Sequence, residues 1–110
     1  MGEEELPGIQ YQNGYAVVYL TDDTVGRVDE YIPKMKVGGG QPVVDFTNVS
    51  HVPSNTVGKL MSLWSAADRL DLGALILRGL TNRQRRVFVL AGIDKIDSVV
   101  LEEAVNDTTH

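Results

Sequence analysis

Ala74-Leu75-Ile76-Leu77 is apolar at every position, so a strand built from it presents hydrocarbon on both faces. A strand with one wet face would alternate, and an unbroken apolar run reads as an interior strand of a parallel sheet. Parallel neighbours cannot be joined by a tight turn; each needs a crossover, usually a helix. Helical patterns flank the run on both sides. Ser54 to Leu72 carries Val57, Leu60, Met61, Trp64 and Ala67 on one face, with Ser54 as N-cap and Gly73 as stop. Thr81-Asn82-Arg83-Gln84 is a Thr-x-x-Gln capping box, opening a helix that runs to about Ala91 with Gly92 just past its end.

The rest of the chain extends the alternation. Asn13-Gly14 is the strongest short hairpin signal and precedes the β-rich run Tyr15 to Leu20. Thr21 to Lys36 spaces Val25, Val28, Ile32 and Met35 as a helix does, with Pro33 expected to kink or shorten it late. Gly38-Gly39-Gly40 reads as a connector. Pro42-Val43-Val44-Asp45-Phe46 reads as a buried strand opened by proline and closed by aspartate. Val99-Val100 suggests a last short strand, and Leu101-Glu102-Glu103-Ala104-Val105 one or two terminal helical turns. The expected order is β-β-α-β-α-β-α-β-α: an α/β domain with a small mixed sheet, parallel in its middle and antiparallel at its N-terminal edge. Residues 1–9 read as an acidic irregular lead-in, 10–106 as a single domain and 107–110 as a tail.

Composition excludes several function classes. The chain has 110 residues, 43% of them apolar and 23% charged with mixed signs, which suits one packed domain and not a disordered one. It holds no cysteine, which removes disulfides, thiolate metal sites and cysteine nucleophiles together. Its 2 histidines, His51 and His110, leave little for a histidine-based metal site. A net charge of −5 and a pI near 4.8 argue against a nucleic-acid partner. No apolar run is long enough to span a bilayer, no signal-peptide pattern stands at the start, and Leu6 breaks a myristoylation motif. A cytoplasmic binding or regulatory domain without a cofactor is the expectation.

One stretch is more specific than its composition. Val43-Val44-Asp45-Phe46-Thr47-Asn48-Val49 followed by Val52-Pro53-Ser54-Asn55-Thr56-Val57-Gly58-Lys59-Leu60 resembles the central signature of STAS domains, the sulfate-transporter and anti-sigma-factor-antagonist domains. Gly73 to Leu77 resembles the family's fourth strand, Val87 to Ile96 its "hydrophobic, then Gly-Leu-Asp-Lys" segment, and Leu101 to Val105 its closing "Leu-Glu-Glu-Ala". The likeness spans about residues 10 to 105. The family's Asp-Ser pair is here Pro53-Ser54.

The resemblance implies a STAS-like fold and binding without catalysis. It implies a phosphorylation acceptor at Ser54, with Thr56 and Ser50 as alternatives, and a partner-binding loop drawn from Asp45, Asn48, Pro53, Ser54, Asn55, Thr56 and Lys59. The implied partner is an anti-sigma factor or serine-protein kinase of the switch type, which brings its own ATP and magnesium; a homo-oligomer is compatible with it. The alternative is a structural STAS subunit of a larger assembly, a stress-sensing complex or a lipid-transport machine, with no phospho-switch. Pro53 favours that alternative, since proline supplies neither a carboxylate nor an N–H where the family's aspartate stands.

Other tempting features read as structural. Asp45, His51 and Ser54 lack the Gly-x-Ser-x-Gly elbow of a hydrolase. The glycine run is followed by Gln-Pro and a strand, unlike a phosphate-binding loop. Arg78, Arg83, Arg85 and Arg86 are read as solvated, with an acidic partner or a nucleotide phosphate as the functional option. Trp64 and Met61 are read as core.

Overall fold

The structure is a computed structural model that describes residues 9–102. Strands β1 (Gln10–Gln12) and β2 (Tyr15–Thr21) form the expected hairpin. Both turn residues, Asn13 at φ 51° and Gly14 at φ 88°, lie in the left-handed region that a type I′ turn demands. The chain then passes through a 3-10 stretch, Val25–Tyr31, into α1 (Ile32–Gly38). β3 (Gln41–Asn48), α2 (Thr56–Arg69), β4 (Leu75–Arg78) and α3 (Asn82–Leu90) follow. A short 3-10 turn, Ile93–Lys95, leads into β5 (Val99–Leu101).

The five strands stand in chain order, β1-β2-β3-β4-β5, antiparallel at the hairpin and parallel from β2 onward. Every parallel crossover therefore steps one strand in the same direction. Right-handed connections that all step one way place their helices on one face of the sheet. The core sits there: Val18 and Leu20 of β2, Val44 and Phe46 of β3, and Leu75 and Leu77 of β4 pack with Leu60, Leu63 and Ala67 of α2 and with Phe88 of α3. Phe46 and Phe88 meet edge to face with ring centroids 5.7 Å apart. The intervening residues, among them Val17, Tyr19, Val43, Asp45, Ile76 and Arg78, fall on the opposite face by strand alternation. β4 is flanked by β3 and β5, as its apolar run predicts, yet its burial alternates, with Ile76 and Arg78 only half-buried.

Several boundaries differ from the sequence reading. The single helix expected over Thr21 to Lys36 is split: Thr21 closes β2, and Arg27 has a non-helical backbone at φ −120°, ψ 21° inside the 3-10 stretch. Pro33 falls in the first turn of α1, where its missing N–H has no helical acceptor to lose, so it starts a helix and does not kink one. Asp45 does not close β3 but lies within it. α2 starts at Thr56, and it ends at Arg69 without help from Gly73. Asp71, at φ 58°, takes the left-handed position after the Leu70 C-cap. The Leu72 N–H reaches the Ala67 carbonyl at 3.0 Å and the Asp71 N–H the Asp68 carbonyl at 3.1 Å, which is a Schellman motif with aspartate in glycine's usual place. The buried stripe of α2 is Thr56, Leu60, Leu63, Ala66 and Ala67; Val57, Met61 and Trp64, expected as core, flank it half-buried. Leu101 belongs to β5 and not to a terminal helical turn. Residues 1–8 of the expected lead-in, residues 103–105 of that turn and the tail 107–110 lie outside the described residues.

Candidate functional site

The loop between β3 and α2 is held from three directions. Its apolar residues Val49 and Val52 are buried and act as pegs, and the Val49 N–H bonds the Phe46 carbonyl at 2.9 Å. From α3, the buried Gln84 side chain donates to the Val49 carbonyl at 2.7 Å. The third tie comes from the loop after β2. The Asp22 carboxylate accepts from the Ser50 hydroxyl at 2.7 Å, the Ser50 N–H at 2.8 Å and the His51 N–H at 3.4 Å. Those bonds, the Ser50 hydroxyl first, hold the Asp22 carboxyl below its ordinary pKa.

The helix that follows opens without a side-chain cap. Asn55 is the N-cap residue, its backbone is already in the right-handed region at φ −75°, ψ −8°, and its side chain bonds no helix N–H. The Thr56 N–H bonds the Pro53 carbonyl at 2.9 Å, closing a turn over Ser54. Ser54 therefore precedes the helix and does not cap it. Its side chain is exposed and makes no hydrogen bond among the described residues. Lys59, one turn into α2, donates to the Gly26 carbonyl and lies 3.9 Å from Asp29, tying α2 to the 3-10 stretch.

The hydroxyls near the loop thus stand in different states. Ser50 is engaged by Asp22, Thr56 is fully buried with its Oγ1 unpartnered, and Ser54 is free in solvent. Asn48 and Asn55 are exposed and Pro53 is half-buried. Asp45 is separate from the loop surface. Its carboxylate is buried in β3, accepts from the Thr47 N–H at 2.8 Å and pairs with Arg78 Nε at 2.7 Å, while Arg78 also reaches the Tyr19 hydroxyl at 3.1 Å. Burial alone would raise the Asp45 pKa; the bonds from Thr47 and Arg78 outweigh it and hold the carboxyl below its ordinary value. Gly79, at φ +76°, completes this corner: a Cβ there would stand 2.6 Å from Thr47 Oγ1, so only glycine fits. Arg78 is therefore a half-buried partner of Asp45 and Tyr19, where the sequence reading has it only solvated.

No hydrogen bond among the described residues joins His51 to Ser54, and Asp45 is committed to Arg78, so the three do not assemble a charge-relay system. Among the described residues no cluster of three or more His, Asp or Glu side chains could hold a metal. Nor is any helix there long and apolar enough to cross a membrane. What the loop offers is an exposed turn, tied down on its Val49–His51 side, with a free hydroxyl at Ser54. Sequence reasoning missed Asp22: its place after a β-rich run reads as ordinary turn chemistry, and no local pattern marks its bonds to Ser50, 28 residues away.

No family model matches the sequence, and no curated protein matches it. Solved structures do. One is a serine-to-glutamate variant of RsbS from Moorella thermoacetica, 17% identical, covering 94% of this chain and 90% of that one at a TM-score of 0.69. Another comes from the molecular architecture of the stressosome, a signal integration and transduction hub, 19% identical, covering 89% of both chains at a TM-score of 0.67. The chain has the STAS-domain fold. That agrees with the family resemblance of the segment Val43 to Leu60, and in the STAS frame the loop from Val49 to Asn55 joins the third strand to the second helix.

Proposed function

We propose that this chain is a non-enzymatic, cytoplasmic regulatory protein of the STAS type, controlled by phosphorylation at Ser54. Unphosphorylated, it binds an anti-sigma factor or serine-protein kinase of the switch type through the Ser50–Thr56 turn and the start of α2. That contact sequesters the kinase and frees its sigma factor. A phosphoryl group on Ser54 adds a charge of about −1.5 to −2, which must be desolvated for the partner to dock, and so opposes the contact.

One observation carries the choice of acceptor: of Ser50, Ser54 and Thr56, only Ser54 has a hydroxyl both exposed and free of hydrogen bonds. A kinase must draw the acceptor hydroxyl into its own site, and neither a buried Thr56 nor a Ser50 clamped by a carboxylate can be drawn out without breaking the loop. The test is incubation with switch-type serine kinases and ATP, phosphate being located by mass spectrometry. Phosphate on Ser54, none in Ser54→Ala, and a loss of partner affinity of about tenfold (roughly 1.4 kcal/mol) in Ser54→Glu are expected.

A second reading has its own support in Pro53 and in the stressosome origin of one structural neighbour. It makes the chain a structural subunit of a stress-sensing assembly without a phospho-switch. Should no phosphate appear on the loop and Ser54→Glu bind as tightly as wild type, that reading replaces the first.

A further inference from the structure

The outer face of α3 is at odds with the rest of the chain. From Arg78 to Gly92 there is no acidic residue, although the protein as a whole carries a net charge of −5. Gln84 and Phe88 turn inward and are buried. Arg83, Arg86, Val87 and Leu90 fall at i, i+3, i+4 and i+7, on one strip of the helix within an arc of about 100°. Leu90 is 80% exposed and Val87 37%. Neither Arg83 nor Arg86 forms an ion pair among the described residues. Arg83 also lies in the first turn of α3, where positive charge opposes the helix dipole, and the capping box holds the helix start together in spite of it.

We propose that this strip docks an acidic amphipathic helix of a partner protein. Guanidinium groups at one end and bare leucine at the other dictate the occupant's pattern. It needs carboxylates facing Arg83 and Arg86, and an apolar side chain against Val87 and Leu90. Arg83 and Leu90 are seven residues apart, about 10 Å along the axis, so the matching groups on the partner helix are spaced by two turns. A nucleic acid would satisfy the arginines and leave Leu90 wet; a purely apolar surface would bury the arginines without counter-charge. Docking here does not depend on Ser54, which lies on a different element.

The probe is a synthetic helical peptide with glutamate and leucine on one face at that spacing, and a control with lysine for glutamate, each followed by fluorescence anisotropy. Binding of the glutamate peptide alone is expected, weakening as salt rises. Arg83→Glu/Arg86→Glu should reduce it by about tenfold or more, and Leu90→Ser by roughly threefold to tenfold. Both variants should keep the wild-type thermal midpoint, the charge reversal gaining if anything from the helix dipole. If the reversed variant does not fold, Arg83→Gln/Arg86→Gln answers the same question. The proposal fails if wild type binds neither peptide, if the lysine peptide binds as well, or if the reversed variant binds unchanged. It fails too if duplex DNA competes fully, or if sedimentation shows self-association that the peptide cannot displace and that Arg83→Glu/Arg86→Glu abolishes, since the occupant would then be a polyanion or a second copy of this chain.

Discussion

α2 and α3 pack on the same face of the same sheet, yet they begin in opposite ways. α3 is closed by its own sequence: Thr81 Oγ1 accepts from the Gln84 N–H at 3.1 Å, and Gln84 Oε1 accepts from the Thr81 N–H at 3.0 Å. α2 has no such closure. Asn55 and Ser54 leave its first turn uncapped, and the geometry there is imposed by Asp22, Gln84 and Lys59 from other parts of the fold. A helix start that satisfies itself leaves no free hydroxyl at its cap, because Thr81 Oγ1 is already bonded. One held from outside can keep a hydroxyl at its tip free, because nothing in the helix consumes it.

Gln84 joins the two starts, so its removal should have the largest effect. Gln84→Ala breaks the capping box and leaves the buried Val49 carbonyl without its donor. The expected loss is about 2–3 kcal/mol, the sum of the lost Thr81 N–H bond to Gln84 Oε1 and an unsatisfied acceptor at Val49. Chemical denaturation measures it; a change below about 0.5 kcal/mol would mean that the loop relaxes at no cost and that the contrast between the two starts is only geometric. Thr81→Ala removes the N-cap hydroxyl without touching the loop and should cost about 1 kcal/mol. If it costs as much as Gln84→Ala, the tie to Val49 contributes nothing.

This division also marks how far the sequence could be read. Asn13-Gly14, the Thr81 capping box and Gly92 at φ 83° each act through neighbours within four residues, and each stands where its pattern predicts. The alternation of apolar runs with helical spacing carries the parallel sheet. What could not be read depends on distant partners or on competition between near-equal conformations. The 3-10 stretch and α1 together meet the helical spacing as well as one α-helix would: Val25, Val28 and Met35 are buried as expected, and Tyr31 is buried beside the half-buried Ile32. Asp71 ends α2 ahead of the more obvious Gly73, since aspartate tolerates the left-handed region and comes first in the chain. At the candidate site, the exposure of Ser54 on the loop before α2 agrees with what the family resemblance implies for that position. The states of Ser50 and Thr56 were not legible, because Asp22 and the core that decide them lie elsewhere in the sequence.

The outside support of the open start should be visible by titration. Asp22 has a lowered pKa in the fold, so its bonds favour the native loop above the ordinary carboxylate value and are lost as pH falls through the lowered one. The Ser50 and His51 amide resonances should move together on acidification, with a midpoint below the ordinary 3.8. In Asp22→Ala that shared step should vanish. A midpoint at or above 3.8 in wild type would mean that the clamp does not hold in solution.

The smallest effect is the most discriminating. From sequence alone Ser54 is an N-cap, and Ser54→Ala should then cost about 1 kcal/mol. In the fold its oxygen bonds no backbone N–H, so the substitution should leave stability within about 0.5 kcal/mol of wild type and leave partner binding intact. Thr81→Ala is the internal standard, since it removes a real cap from a helix in the same protein under the same conditions. If denaturation midpoints show the two alanine variants losing equal stability, Ser54 is a structural cap after all. A kinase would then have to break that cap to reach the hydroxyl, and the difference between the two helix starts would disappear.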